Sequence, residues 1–319
     1  MLAAAAATAM LVFPGFARAE DTAWIRLSVP SMLRGTPGPA GPPLSPVPTQ
    51  DQEDLPIAVP VLRTTTRSGA QWVKVRFGGA VGWIPSADTA TAPTEPLPLP
   101  LRQRLSALMN KTAAAGALIA DSNGRSLFAR DARQQRILAS NTKLFVTGAA
   151  FDRFGTRIGR LLRRILRPSD NELAQQLLTR LGSASPFQGL AATEGFARAQ
   201  GARVTLADGS GLSRANRSTP EDVVRFLVGM RRHASFGTWL DALPVAGRTG
   251  TLAYRLRATA AEEACQAKTG TLHDVSTLSG YCTTSSGRRV VFSLLMNKID
   301  PITGRALQDR MLASLVALG

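Results

Sequence analysis

Histidine, cysteine and lysine are all scarce in this chain of 319 residues, with two, two and five copies. His233, His273, Cys265 and Cys282 fall in no metal-ligand spacing, so neither a structural zinc nor a haem is expected. Two cysteines cannot staple a whole fold, although a pair suits an oxidising compartment. After the N-terminal segment, no stretch approaches the roughly 20 apolar residues that span a bilayer. Acidic residues are also few: 22 Asp and Glu stand against 38 Lys and Arg, a formal net charge of +16. That charge is mostly arginine, scattered, with no dense basic run interleaved with aromatics. Nucleic acid is therefore not the expected partner, whereas an anionic wall or membrane surface fits the excess.

The composition is otherwise that of a globular protein: 44% hydrophobic residues, and length for a large domain plus a small one. Residues 1–19 read as a signal peptide. Leu2 to Phe13 is almost entirely Ala, Leu, Met and Val, and Ala17-Arg18-Ala19 supplies an A-x-A cleavage pattern. No Lys or Arg precedes the run, as such signals ordinarily have, and a retained hydrophobic helix is the alternative. Export implies a secreted, periplasmic or wall-associated protein with no transmembrane anchor after signal removal.

Residues 20–90 are expected to form a small β module. Gln71 to Phe77 alternates like a strand, Gly78-Gly79 marks a turn, and Val81-Gly82-Trp83-Ile84-Pro85 starts a second strand. Trp72 and Trp83 read as core residues. Gly35 to Pro48 is so rich in Pro and Gly that it reads as a loop or disordered insertion. Residues 91–100, with four prolines between Thr91 and Pro100, read as a stiff linker.

The second domain is expected over 101–319. Strands are predicted at Ala115–Asp121 and Ser126–Arg130, joined by Ser122-Asn123-Gly124-Arg125. Helices are predicted over Ser140–Phe154 and Glu172–Leu181, with another opening at Thr219-Pro220. Strands over Cys265–Leu272, Ser276–Thr283 and Arg288–Met296 precede a closing helix from Thr303. Strands at both ends of a helical middle give an α+β class, an antiparallel sheet flanked by helices.

Since arginine supplies the ordinary surface charge, a lysine marks a place where arginine does not serve. A base catalyst is such a place, because an amine can lose its proton near neutrality and a guanidinium cannot. Lys143 lies in Ser140-Asn141-Thr142-Lys143, where residues three apart on a helix share a face and the amine can reach the hydroxyl. The helix N-terminus offers N–H groups to an oxyanion forming at Ser140. Alone, this is as readily a capping serine and a solvated lysine. Ser169-Asp170-Asn171 opens the next helix and alone is an N-cap. Lys268-Thr269-Gly270-Thr271-Leu272 lies on a strand, where Gly270 lets a backbone or ligand approach closely, or marks a bulge.

Together and in this order, S-x-x-K, S-D-N and K-T-G form the set of penicillin-binding proteins and class A β-lactamases. The segments around them, with Asp208-Gly209-Ser210-Gly211-Leu212-Ser213-Arg214, resemble the D-alanyl-D-alanine carboxypeptidase/endopeptidase family, the class C penicillin-binding proteins. The resemblance runs from about Leu101 to the C-terminus. The Gln71–Pro85 pattern resembles the closing hairpin of bacterial SH3-like modules.

The first resemblance implies a penicillin-recognising serine-hydrolase fold, β-lactamase/transpeptidase-like, and a small SH3-like β-barrel is implied for the N-terminal module. It implies no cofactor, peptidoglycan stem peptides ending in D-Ala-D-Ala as substrate, and β-lactams as inhibitors. Ser140 would be the nucleophile and Lys143 its base, with a pKa lowered by burial and by Lys268. Ser169 would relay a proton to the leaving D-alanine, and Asn171 would bind the substrate amide and the Lys143 amine. Lys268 and Thr269 would hold the terminal carboxylate, with Gly270 and Thr271 on the same strand also substrate-binding, and the N–H groups of Ser140 and Thr271 would form the oxyanion hole.

The chain departs from the family in one respect. The family carries a long insertion between S-x-x-K and S-x-N, whereas only 25 residues separate Lys143 from Ser169, with the insertion missing between 155 and 161. The short connection argues for one alternative, a catalytically inactive peptidoglycan-binding remnant; the other is a β-lactamase-like hydrolase, which the D-G-S-G-L-S-R segment disfavours. A His-based triad is a rival mechanism through His273, which otherwise reads as an exposed turn residue. Finally, a strand turning back at His273-Asp274 places residues whose numbers sum to 547 opposite each other. Cys265 and Cys282 satisfy that sum and are expected to be disulfide-bonded, with two buried free thiols as the alternative.

Overall fold

The protein is described as a computed structural model covering residues 24–49, 58–90 and 99–318. The expected signal peptide and residues 91–98 of the expected linker lie outside the described residues. Seven antiparallel strands build the N-terminal unit: β1 (Trp24–Leu27), β2 (Ser31–Arg34), β3 (Pro43–Val47), β4 (Ala58–Arg67), β5 (Ala70–Phe77), β6 (Ala80–Pro85) and β7 (Thr89–Ala90). Their order is β3-β2-β6-β5-β4-β1-β7. The β5–β6 hairpin turns at Gly78-Gly79, with Val73 opposite Ile84. Inward residues Leu33, Val47, Val73, Val75 and Ile84 make a core, and Trp72 and Trp83 are buried as expected.

Two sequence expectations need correction here. Pro43–Val47, expected as loop, is a strand, because β3 lies at the sheet edge, where the missing N–H of proline leaves no ladder bond unmade. Leu99 and Pro100, expected as the end of a linker, already belong to helix α1 (Leu99–Met109). Proline is compatible with a first helical turn, whose N–H groups have no intrahelical partner.

The second unit is a five-stranded antiparallel sheet between two layers of helices. After α1 come β8 (Ala115–Asp121), β9 (Ser126–Arg130) and the short β10 (Arg136–Ile137). Helices α2 (Thr142–Phe154), α3 (Gly159–Leu166), α4 (Asn171–Leu181) and α5 (Pro186–Ala199) follow. Two-residue strands β11 (Val204–Thr205) and β12 (Arg217–Ser218) precede α6 (Pro220–Arg231) and α7 (Phe236–Leu240). The chain closes with β13 (Cys265–Leu272), β14 (Val275–Thr283), β15 (Arg289–Asn297) and α8 (Pro301–Leu318). The sheet order is β13-β14-β15-β8-β9, so β13 is an edge.

Alternation along the strands divides the core between the two faces. Val290, Phe292, Leu294 and Met296 of β15 point to α1 and α8, while Val291 and Leu295 point to the helical middle around Phe145, Phe226 and Trp239. On β13, Cys265 and Ala267 share the α1/α8 face, which assigns Thr269 and Thr271 to that face and Lys268 and Gly270 to the other. The connection at 155–161, where the insertion was expected to be missing, is closed and packed. Gly155 ends α2, a single 3₁₀ turn covers Gly155–Ile158, and α3 buries Leu162, Ile165 and Leu166.

The two units touch at the tip of the β5–β6 hairpin. Gly78 N–H donates to Glu262 Oε2 at 3.2 Å, and Arg76 pairs with Glu263 at 3.0 Å. Arg248 also reaches Glu263, at 3.3 Å. Burial raises the Glu263 carboxyl to about 7, against Arg248 and with the repulsion of Glu262.

Candidate active site

Ser140 sits in a 3₁₀ turn, Ala139–Asn141, immediately before α2. Ala139 holds φ +47°, a left-handed conformation that a residue with a Cβ adopts at a cost. The surroundings hold it there. Asn141 Nδ2 donates to Lys268 O at 3.1 Å and to Thr277 Oγ1 at 2.8 Å, and Thr277 Oγ1 donates to Leu138 O at 2.9 Å. Gly270 packs against the same turn, where a Cβ would lie 2.2 Å from Thr277 Oγ1 and 2.9 Å from Ser140 N. The glycine read as a site of close approach is therefore one.

One turn into α2, Lys143 is buried and its Nζ is 3.0 Å from Ser140 Oγ. The same nitrogen donates to Asn171 Oδ1 at 2.7 Å and to Ser210 O. Burial lowers its pKa to about 8, opposed by the carboxylates of Asp208 and Asp170. A neutral amine has two N–H groups and one lone pair. Two carbonyl oxygens take the N–H groups, which leaves the lone pair for the Ser140 hydroxyl.

Ser169 stands just before α4 with φ +64°, while Asp170 caps that helix by accepting from Leu173 N. Lys268 is wholly buried, and its Nζ donates to Ser169 Oγ at 2.8 Å and to Thr269 O at 2.7 Å. Burial and then the charge of Lys143 push its pKa well below the ordinary lysine value. The effect of the second cation, expected on Lys143, thus falls on Lys268, which is the more deeply buried of the two. The Lys268 amine is also enclosed, with both of these contacts internal.

The open edge of β13 faces this cluster. Cys265 O accepts from Ala246 N and Ala267 N–H donates to Pro244 O on that edge, so by the two-residue period the N–H groups of Thr269 and Thr271 open onto it too. Ser140, Lys143, Ser169, Asn171 and Lys268 are thereby gathered where Thr269, Gly270 and Thr271 present backbone. The expected cross-strand pairs hold from Cys265↔Cys282 through Leu272↔Val275. Cys265 and Cys282 are disulfide-bonded across their pair, Cα atoms 4.1 Å apart.

His273 lies exposed at the β13–β14 turn, and His233 packs on Phe151 3.9 Å from Asp152; the basic side chain in contact with Ser140 Oγ is that of Lys143. Among the described residues no group of three or more His, Cys, Asp or Glu is placed to hold a metal, and no helix is long and apolar enough to cross a membrane. A surface hollow of about 750 Å³, lined in part by Gly124, Arg133, Glu221, Arg225 and Arg232, contains none of the motif residues.

Sequence reasoning missed three participants. Ser210 contributes a backbone carbonyl, which no residue type announces. Thr251 Oγ1 accepts from Thr269 Oγ1 at 2.7 Å; Arg248-Thr249-Gly250-Thr251-Leu252 repeats four of the five residues of 268–272 and was the available signal. Arg305 of α8 donates to Thr271 Oγ1 at 3.2 Å, and nothing in its local sequence marks it.

Comparison with known proteins agrees with this geometry. The profile of the D-Ala-D-Ala carboxypeptidase 3 (S13) family matches residues 157–317. The D-alanyl-D-alanine carboxypeptidase of Actinomadura sp. (strain R39) is 45% identical over 114 residues, 34% of this chain and 21% of that protein. Carboxypeptidase DacB of Mycolicibacterium smegmatis (strain ATCC 700084 / mc(2)155) is 34% identical over 178 residues, 50% of this chain and 37% of that one. The chain thus spans between about a fifth and two fifths of these relatives' lengths. A class A β-lactamase from Bacteroides cellulosilyticus DSM 14838 superposes with a TM-score of 0.57 at 17% identity, over 70% of this chain and 98% of the other, a likeness of fold.

Proposed function

Because the chain belongs to the D-Ala-D-Ala carboxypeptidase 3 (S13) family, we propose that it is a serine-type D-Ala-D-Ala carboxypeptidase of the penicillin-binding type, acting on peptidoglycan stem peptides with Ser140 as nucleophile. The observation that carries this reading is the position of Lys143 Nζ, 3.0 Å from Ser140 Oγ with its N–H groups directed at two carbonyl oxygens. Ser140 Oγ attacks the carbonyl carbon between the two D-alanines as its proton passes to Lys143. The N–H groups of Ser140 and Thr271 hold the oxyanion. Collapse breaks the C–N bond; the departing amine takes the hydroxyl proton of Ser169, which Lys268 orients, and the proton taken up by Lys143 makes good that loss. Water then releases the shortened peptide from the ester. The hydroxyls of Thr269 and Thr271 face the terminal carboxylate, while enclosure of the Lys268 amine gives that residue to the proton relay.

The closed connection through Gly155–Leu166 supports an active enzyme over a remnant, since the three motifs meet without the insertion. The N-terminal unit serves in this reading as an SH3-like module that helps hold the enzyme at the wall, outside the cytoplasm, and the net positive charge favours that anionic surface. Labelling with a fluorescent penicillin, wild type beside Ser140→Ala, tests the assignment. An adduct on the Ser140 peptide that vanishes in the variant is expected; an adduct elsewhere, or none on folded protein, overturns it.

A further inference from the structure

A substrate that ends in a carboxylate brings a negative charge to the edge of β13, and Lys268 is not free to meet it. Its amine is fully buried, committed to Ser169 Oγ and Thr269 O. On that strand Thr269 and Thr271 present hydroxyls, which recognise hydrogen-bonding geometry but carry no charge. A cation must come from a neighbouring element, and the face shared by Thr269 and Thr271 is the one covered by α8.

The start of α8 is held unusually close to that face. Gly304 lies against Ser276, where an added Cβ would stand 2.6 Å from the serine Cβ. Ser276 is the cross-strand partner of Thr271. The residue after Gly304 is thereby delivered beside Thr271, and it is Arg305, whose Nη2 donates to Thr271 Oγ1 at 3.2 Å. The nearby carboxylates of α8 are engaged elsewhere: Asp309 pairs with Arg255 at 2.7 Å, and Asp300 caps the helix by accepting from Thr303 N at 2.8 Å and Thr303 Oγ1 at 3.0 Å. Among the described residues Arg305 makes no ion pair within 4.0 Å, although its charge acts on both Asp300 and Asp309, and it is exposed. It is a charged fork with donors to spare, at the strand that carries the oxyanion N–H.

We propose that Arg305 reads the terminal carboxylate of the substrate, making the site selective for peptides with a free C-terminal acid over the same peptides capped as amides. The inference rests on the proposed carboxypeptidase reading and deepens it. A guanidinium offers two parallel N–H groups to one carboxylate, and Thr271 Oγ1 orients the fork before the ligand arrives.

Binding of an N-acyl D-Ala-D-Ala peptide and of its C-terminal amide, measured calorimetrically on Ser140→Ala, tests this without turnover. The acid is expected to bind about tenfold tighter than the amide, the gain of one charge-assisted fork. Adding Arg305→Met abolishes that preference, and Arg305→Lys retains part of it, as a charge without the fork. In the wild-type background Arg305→Met lowers kcat/KM for the acid by a similar factor, carried by KM. An acid-to-amide ratio unchanged by Arg305→Met, or no binding of the acid at all, overturns the inference. The two readings separate cleanly. Penicillin labelling at Ser140 with an unchanged ratio removes Arg305 alone. An Arg305-dependent preference without labelling leaves the carboxylate site standing and removes the hydrolase.

Discussion

Asn141 Nδ2 donates to the backbone oxygen of Lys268 at 3.1 Å, bonding the turn that carries Ser140 directly to the edge strand that faces it. The side chain is wholly buried and donates to Thr277 Oγ1 as well. Replacing it by leucine leaves two buried acceptors short of a donor, each worth about 1–3 kcal/mol. Asn141→Leu is expected to lower the denaturation midpoint and to slow penicillin acylation together. A variant that loses stability but acylates at the wild-type rate would show that this bond does not set the distance between Ser140 and β13.

The pKa of Lys143, about 8, sets a pH profile. If the neutral amine is the base, the second-order acylation rate rises about tenfold per pH unit below 8 and levels above it. Lys143→Arg, which cannot deprotonate, is expected to lose a factor of about 10² to 10⁴. Stability follows the same group. The folded value lies below the ordinary 10.5, so the folded state releases the proton first, and stability rises as pH climbs from about 8 to about 10.5. An acylation rate flat between pH 6 and 8 would exclude Lys143 as the base.

Gly155 closes the shortened connection with φ +69° and ψ −161°, a region that belongs almost entirely to glycine. A Cβ there would meet nothing within 4 Å, so the effect of Gly155→Ala is backbone strain alone. About 1–3 kcal/mol of destabilisation is expected, a fall in Tm of roughly 2–10 °C. Labelling of Ser140 well below the transition is expected to persist, and an unaltered melting curve would contradict the strain.

The Cys265–Cys282 bridge spans a sequence separation of 17. In the chain-entropy treatment a loop of that size is worth about 3 kcal/mol. The double variant Cys265→Ser/Cys282→Ser is expected to lose that order of stability in denaturant titration. Thiol titration of unreduced, denatured protein from an oxidising compartment should find no free thiol. Two titratable thiols would remove the bridge from the working protein.

The β13–β14 hairpin was legible from numbering alone, because period-two geometry and a turn at His273-Asp274 fix every pair once one is known. The three motifs were legible because their chemistry needs particular residue types: a hydroxyl, an amine that can deprotonate, a glycine without Cβ. What was not legible depended on position in space. Pro43 and Pro46 look prohibitive for a strand until the sheet order makes β3 an edge. The amine charges were placed correctly as neighbours, yet which lysine yields depends on depth of burial, which no local pattern encodes. Ser210 acts through its carbonyl, and Arg305 is brought to Thr271 by the close approach of Gly304 to Ser276, far apart in the chain.

The pairing of β8 with β15, and of α1 with α8, has a consequence for how the protein comes into being. Synthesis proceeds from the N-terminus, so a growing chain that already displays Ser140 and Lys143 has a sheet with no centre. The strands β13 to β15 must leave the ribosome before β8, already free to pair with β9, can pair on its other side and the edge facing Ser140 can exist. Such long-range pairing makes folding slow relative to local hairpins and helices. Until β13 and the first turns of α8 have been made, Ser140 and Lys143 stand without the backbone N–H of Thr271 and the guanidinium of Arg305.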